Sequence, residues 1–224
     1  MASAALRKQL EDTIGGPLAL TPRPDPELLS TGIGEVDTQA GGLPRGALTE
    51  ICGPESSGRT SLLFSILARA GEAGEICAYI DTDGTFDPAS ASAAGAVLDG
   101  LLWVRCSGNA ETALKAADLI VQGGGFGLVV MDLGDTAPRT AARISMTSWF
   151  RLRRAVEHTR TVLVAVEREP HAKTCASLVL ELRRARVGWS GTPGCSQLLR
   201  GLRVGVARRK PVLAVQASFT ARAV

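Results

Sequence analysis

Residues 53–60 read Gly-Pro-Glu-Ser-Ser-Gly-Arg-Thr. The spacing is that of a phosphate-binding loop, G-x-x-x-x-G-K-[S/T], complete except for the lysine. An apolar run, Leu48 to Cys52, precedes the loop, and an apolar-periodic segment, Ser61 to Ala70, follows it. A strand, a tight turn and a helix are therefore expected in that order. Gly53 and Gly58 let the backbone between them, Pro54, Glu55, Ser56 and Ser57, curl so that successive N–H groups face an anion. Thr60 would offer its hydroxyl to magnesium. Most of this anion site is backbone and survives the exchange of lysine for Arg59. The loop is thus expected to hold a nucleoside triphosphate, beside a cation poorly suited to its hydrolysis.

Around the loop, strand and helix alternate. Strands are predicted at 47–52, 76–81, 101–105, 127–132 and 161–166, and helices near 60–71, 88–98, 110–123 and 140–158. This alternation implies an α/β fold with a mostly parallel central sheet flanked by helices. Gly127 to Met131 is continuously apolar, as a strand covered on both faces should be. Beyond residue 175 the pattern changes to short alternating runs at 177–182, 202–207 and 212–219, read as strands at one sheet edge. Upstream, Leu6, Leu10 and Ile14 form one apolar stripe on a short helix, ended by Gly15-Gly16-Pro17 and followed by a proline-rich linker. The resulting division is a helix and linker over 1–28, a core over 29–182 and a basic C-terminal segment over 183–224.

Carboxylates close two of the predicted strands. Asp132 ends the apolar run, where the second magnesium ligand of a phosphate loop commonly stands. Asp81 and Asp83 follow Tyr79-Ile80 and share one face of an extended chain. Either one orients an attacking water, or both are turn residues of Asp-Thr-Asp-Gly.

Net charge is +3, but the signs are segregated. No acid follows Glu181, while nine bases do, leaving residues 1–181 with 16 bases against 22 acids, a net −6. A basic end on an acidic body points to an anionic partner, either nucleic acid or an acidic protein face. The five cysteines are scattered without metal spacing, with Cys52, Cys77 and Cys106 in apolar runs, which suits free thiols in the cytoplasm. No apolar run reaches the roughly 18 residues of a membrane span, and the first residues lack a secretory h-region.

Taken together, these segments resemble the bacterial recombinase family RecA. Leu29-Ser-Thr-Gly, Gly41-Gly-Leu-Pro-Arg-Gly46, the loop itself and Ala78-Tyr-Ile-Asp-Thr-Asp-Gly-Thr-Phe-Asp-Pro88 are similar to the family's LSTG, GGLPxG, GPESSGKT and AFIDAEHALDP. The resemblance runs over roughly residues 29–220. It implies a RecA-like core with an ATP and magnesium site. It also puts Asp83 in the position of the catalytic glutamate, one methylene short. A misplacement of about 1 Å at a reacting centre can cost roughly 10²-fold. The family's polar Asn-Gln after the fifth core strand is replaced by Glu167-Arg168. Only eight residues, Glu169 to Ala176, stand where the family carries its second DNA-binding loop. The resemblance further implies that Arg208 and Lys210, of the triplet Arg208-Arg209-Lys210, reach a neighbouring subunit's nucleotide. The alternative is an exposed basic turn before Pro211.

A short, arginine-rich relative with an altered phosphate loop resembles the ImuA family, RecA-like (also called SulA-like) accessory proteins of damage-induced (SOS) mutagenesis. That resemblance implies partners: RecA recombinase, docked through the Leu6–Leu10–Ile14 helix, and an ImuB-like polymerase homologue of the Y family. It implies DNA contact through the basic end and weak or absent ATP turnover. A DNA-stimulated ATPase of the RecA family is the alternative expectation.

Overall fold

In a computed structural model, the described residues are 13, 27–191, 196–211 and 216–222. Leu6, Leu10 and Ile14 lie outside them. A two-stranded antiparallel sheet, β1 (Leu28–Leu29) with β2 (Leu43–Pro44), brackets α1 (Gly34–Ala40). This small sheet has no counterpart in the sequence expectation. Asp37 on α1 ties the entry, accepting bonds from Thr31 N and Oγ1 and from the Ser30 hydroxyl.

The main sheet follows from the buried runs. β3 (Ala47–Cys52), β4 (Cys77–Asp81), β5 (Leu101–Arg105), β6 (Leu128–Asp132) and β7 (Val162–Glu167) fall within a residue of expectation. They are joined by β8 (Leu178–Ser190), β9 (Leu198–Lys210) and β10 (Gln216–Arg222). The order across the sheet is β10-β9-β8-β3-β7-β6-β4-β5. From β8 to β5 neighbours run parallel, and β9 and β10 close the edge antiparallel. Alternation along each strand feeds two cores. On β7, Val162, Val164 and Val166 face one side, while Leu163 and Ala165 face the other.

The first core is covered by α2 (Arg59–Glu72), with Leu62, Leu63, Ile66 and Leu67 turned inward. The second is covered by α4 (Ala110–Gly123) and α6 (Met146–Val156), which bury Ala113, Ala117, Trp149 and Leu152. Asn109 and Ser145 cap these two helices through their side chains.

Three expectations are corrected. The helix predicted at 88–98 is only α3 (Pro88–Ala93), because its alanine–serine run lacks an apolar stripe and the chain turns left-handed at Gly95. The helix predicted at 140–158 is two, α5 (Pro138–Ala141) and α6, since Ser145 begins a new cap. The C-terminal strands are not short: β8 and β9 span 13 residues each, and β8 passes through residues 182 and 183 without a break. Among the described residues no helix is long and apolar enough to cross a membrane.

Trp149 is fully buried between α6 and the sheet. Trp149→Ala is expected to cost about 3–5 kcal/mol of stability, read as a lowered urea midpoint with unchanged slope.

Candidate nucleotide site

Strands β3, β4, β6 and β7 all end on one edge, beside the point where chain order across the sheet reverses. Ligands of open α/β sheets bind at such an edge. Here it gathers the phosphate loop after β3, Asp81 at the end of β4, Asp132 at the end of β6 and Glu167 at the end of β7.

The loop has the expected curl, and neighbouring strands press on it from outside. A Cβ on Gly53 would lie 2.4 Å from the Leu182 carbonyl, and one on Gly58 2.4 Å from Val204 Cγ2. Gly58 also needs its positive φ of 93°. Packing by β8 and β9 therefore demands both glycines, independently of any phosphate. α2 starts at Arg59 without a side-chain cap, leaving the amides of its first turn to the loop's concave side. Pro54, Glu55, Ser56 and Thr60 are exposed, whereas Ser57, Gly58 and Arg59 are buried. A cavity of about 330 Å³ bordered by Ser56, Arg59, Thr60, Asp132 and Gly134 opens beside the loop. A larger one, about 840 Å³, adjoins Thr60 and is walled by Gly32, Phe64, Ser90 and Phe219. The first is sized for phosphates and the second could take an apolar heterocycle.

Arg59 turns inward. It is only 8 % exposed, and its Nη1 donates to the Gly134 carbonyl at 3.2 Å. Arg168 Nε donates to the same carbonyl at 3.2 Å, while its Nη2 pairs with Glu55 of the loop at 2.7 Å. Two guanidinium groups thus converge on one oxygen just past β6. Burial lowers the pKa of Arg59, and the negative charges of Asp132 and Asp135 oppose that shift.

Asp132 is already engaged. Its Oδ1 accepts the Gly134 N–H at 2.8 Å and its Oδ2 accepts the Tyr79 hydroxyl. Burial raises its pKa despite both bonds, and pushes the Tyr79 phenol well above its usual range. Magnesium requires an oxygen set that is charged and open. The residues present fit that ion poorly, because Asp132 holds two donors and a buried guanidinium sits beside it. The backbone of the loop does fit phosphate.

The strand-end pair separates. Asp81 is a turn clamp, its carboxylate accepting N–H groups from Gly84, Thr85 and Phe86 and from the Trp103 indole. Asp83 accepts the Thr136 hydroxyl at 2.5 Å and is not among the residues bordering either cavity. The basic triplet also makes contacts within its own chain. Arg208 Nη1 donates to the Ala40 carbonyl at 3.0 Å. Arg209 pairs with Glu181. Lys210 Nζ donates to the carbonyls of Lys173 and Thr174, both at 3.1 Å.

Sequence reasoning missed the buried cluster behind the site. Glu50 and Glu167 are both fully buried. One Glu50 oxygen accepts the N–H groups of His171 and Ala172, each at 2.7 Å, closing the short turn after β7. Glu167 contacts His171 Nδ1. Among the described residues the other oxygen of each carboxylate has no hydrogen-bond partner. Burial pushes Glu167 up to about 7, and the Glu167 hydrogen bond raises His171. The only signal in the sequence was a glutamate inside each apolar strand.

The sequence model of the RecA N-terminal domain matches residues 17–148, more than half of the chain. The chain belongs to the RecA family. It is 35 % identical to Protein RecA of Deinococcus radiodurans over 158 residues, covering 63 % of this chain and 43 % of that protein. It is 34 % identical to Protein RecA of Chloroflexus aurantiacus over 140 residues, 56 % of this chain and 40 % of the relative. Protein RecA of Rickettsia massiliae is 31 % identical over 185 residues, 74 % of this chain and 54 % of the relative. The chain thus spans about half the length of the curated relatives it matches. RecA homology accounts for the parallel core and its loop.

Glu167 binds its proton more tightly folded than unfolded, so its contribution to stability is present below pH 4.5 and is lost as pH rises to about 7. The raised pKa of His171 acts in the same direction, its contribution fading as pH rises through the folded value. Unfolding free energy should therefore fall across this window, and Glu167→Gln should flatten the profile. A wild-type profile that rises with pH there would contradict the assignment.

Proposed function

We propose that this chain is a RecA-like accessory protein, of the ImuA kind, that serves damage-induced translesion synthesis by contact. Its partners are RecA recombinase and an ImuB-like polymerase homologue, and its own ATP turnover is lost or residual. The observation that carries this reading is the buried Arg59 guanidinium on the Gly134 carbonyl, beside an Asp132 whose two oxygens each already accept a hydrogen bond. Transition-state charge in phosphoryl transfer is stabilised by a metal ion and a mobile cation at the γ-phosphate. Here the cation is folded into the protein. Three further features agree: Asp83 turned to Thr136, the short turn after β7 closed on Glu50, and loop glycines whose retention packing alone explains. A cytoplasmic location suits the partners.

A second reading, a DNA-stimulated ATPase, draws on the exposed Thr60 and the intact loop curl. Phosphate release from ATP–magnesium, with and without single-stranded DNA, separates the two. The accessory reading expects no release that depends on Thr60. Turnover that vanishes in Thr60→Ala would establish the ATPase instead. Arg59→Lys removes the planar fork and should strengthen ATP binding measured by calorimetry. For the partner role, stoichiometric inhibition of RecA strand exchange is expected, relieved by Leu10→Asp. Strand exchange unaffected by the wild-type chain would remove the RecA contact.

A further inference from the structure

Nine bases follow Glu181, and the structure disposes of five of them. Arg183 and Arg209 pair with Glu181. Arg208 and Lys210 bond backbone carbonyls, and Arg184 borders a cleft beside the phosphate loop. The remaining four, Arg186, Arg200, Arg203 and Arg222, come together. All are exposed, and all border one groove of about 290 Å³ on β8–β9–β10, with Arg222 also bordering the larger cavity beside Thr60. Among the described residues none of the four makes an ion pair. Arg203 alone has a side-chain bond, from Nη2 to the Ser218 hydroxyl at 3.2 Å.

Register explains how they meet. Arg186 stands directly opposite Arg203, and Arg222 stands opposite Gly201. Shifts in the β8–β9 ladder between Arg184 and Arg186, and between Gly188 and Trp189, leave Ala185 and Arg200 as extra residues. Such bulges re-aim side chains. Strands lie about 4.8 Å apart, and like charges directly opposite destabilise a sheet. A face built this way lowers its free energy when an anion bridges the guanidinium groups.

We propose that this groove docks a short, extended acidic segment of a partner protein. Guanidinium forks match carboxylates two bonds at a time. Gly188 and Gly201 border the groove and put no side chain into it. No aromatic ring borders the groove, so the usual stacking platform for single-stranded bases is missing there. Residues 1–181 carry a net −6 and repel a long polyanion beyond the four arginines. The inference rests on the contact-based reading above and gives its C-terminal surface a partner chemistry.

The test uses the whole chain and fluorescence anisotropy with two probes, a labelled oligoglutamate peptide and a labelled oligothymidylate. Saturable peptide binding is expected, weakened about tenfold or more in Arg186→Gln/Arg203→Gln and unchanged in Arg154→Gln, an exposed arginine on α6. Arg200→Gln/Arg222→Gln provides an independent pair, and matching thermal melts confirm folding. Oligothymidylate binding without peptide binding would make the face a nucleic-acid site and overturn the proposal. Absence of both, or equal loss in Arg154→Gln, would overturn it too. Phosphate release assayed on the same preparations keeps failure of the accessory reading distinct, since turnover would sink that reading and leave peptide binding standing.

Discussion

The contact on which the nucleotide edge depends is the buried guanidinium of Arg59 against the carbonyl of Gly134. It ties the start of α2 to the turn after β6, and Arg168 joins the same oxygen from the end of β7. Two strand ends and a helix start are thereby cross-linked through one carbonyl. Guanidinium suits this task because its planar fork spans several acceptors at once, whereas an ammonium is a compact point charge on a mobile stem. A single exchange of cation can thus convert a ligand-facing group into an internal brace. Asp132, Tyr79 and the Gly134 amide complete the brace with short polar bonds in a buried setting, where an unpaired charge would be costly.

The same economy appears behind β7. Glu50 and Glu167 are buried carboxylates that fasten a short turn through backbone amides and an imidazole. Lys210 closes the turn from the other side through two carbonyls. Polar groups at the ends of parallel strands here serve mostly to fasten chain to chain. That is the common thread linking Arg59, Asp81, Asp83 and the basic triplet, each of which holds its own fold in place.

Much of the fold was legible. The five core strands and the helix after the loop could be read because fully covered parallel strands are continuous apolar runs and a covering helix keeps an apolar stripe. The length of β8 and β9 was not legible. Their outer halves, from Arg183 to Ser190 and from Leu198 to Arg203, are mostly exposed, so strand pairing there is set by the ladder and leaves no hydrophobic period. The break between α5 and α6 was hidden for a similar reason: a serine cap is a local hydrogen bond that composition does not announce. At the site, the positions of Arg59, Asp83 and Asp132 were legible, but not the directions their side chains take.

The sequence alone determined the α/β class, the phosphate-loop curl, membership of the RecA family and the separation of charge between body and tail. Each of these follows from residue type and spacing along the chain. Tertiary structure alone decided that Arg59 is an internal brace, that β8 and β9 require the loop glycines, that two glutamates share a buried cluster with His171, and that four arginines converge on one groove. Each of those depends on which strands lie side by side and in what register, and a chain read in one dimension does not contain that information.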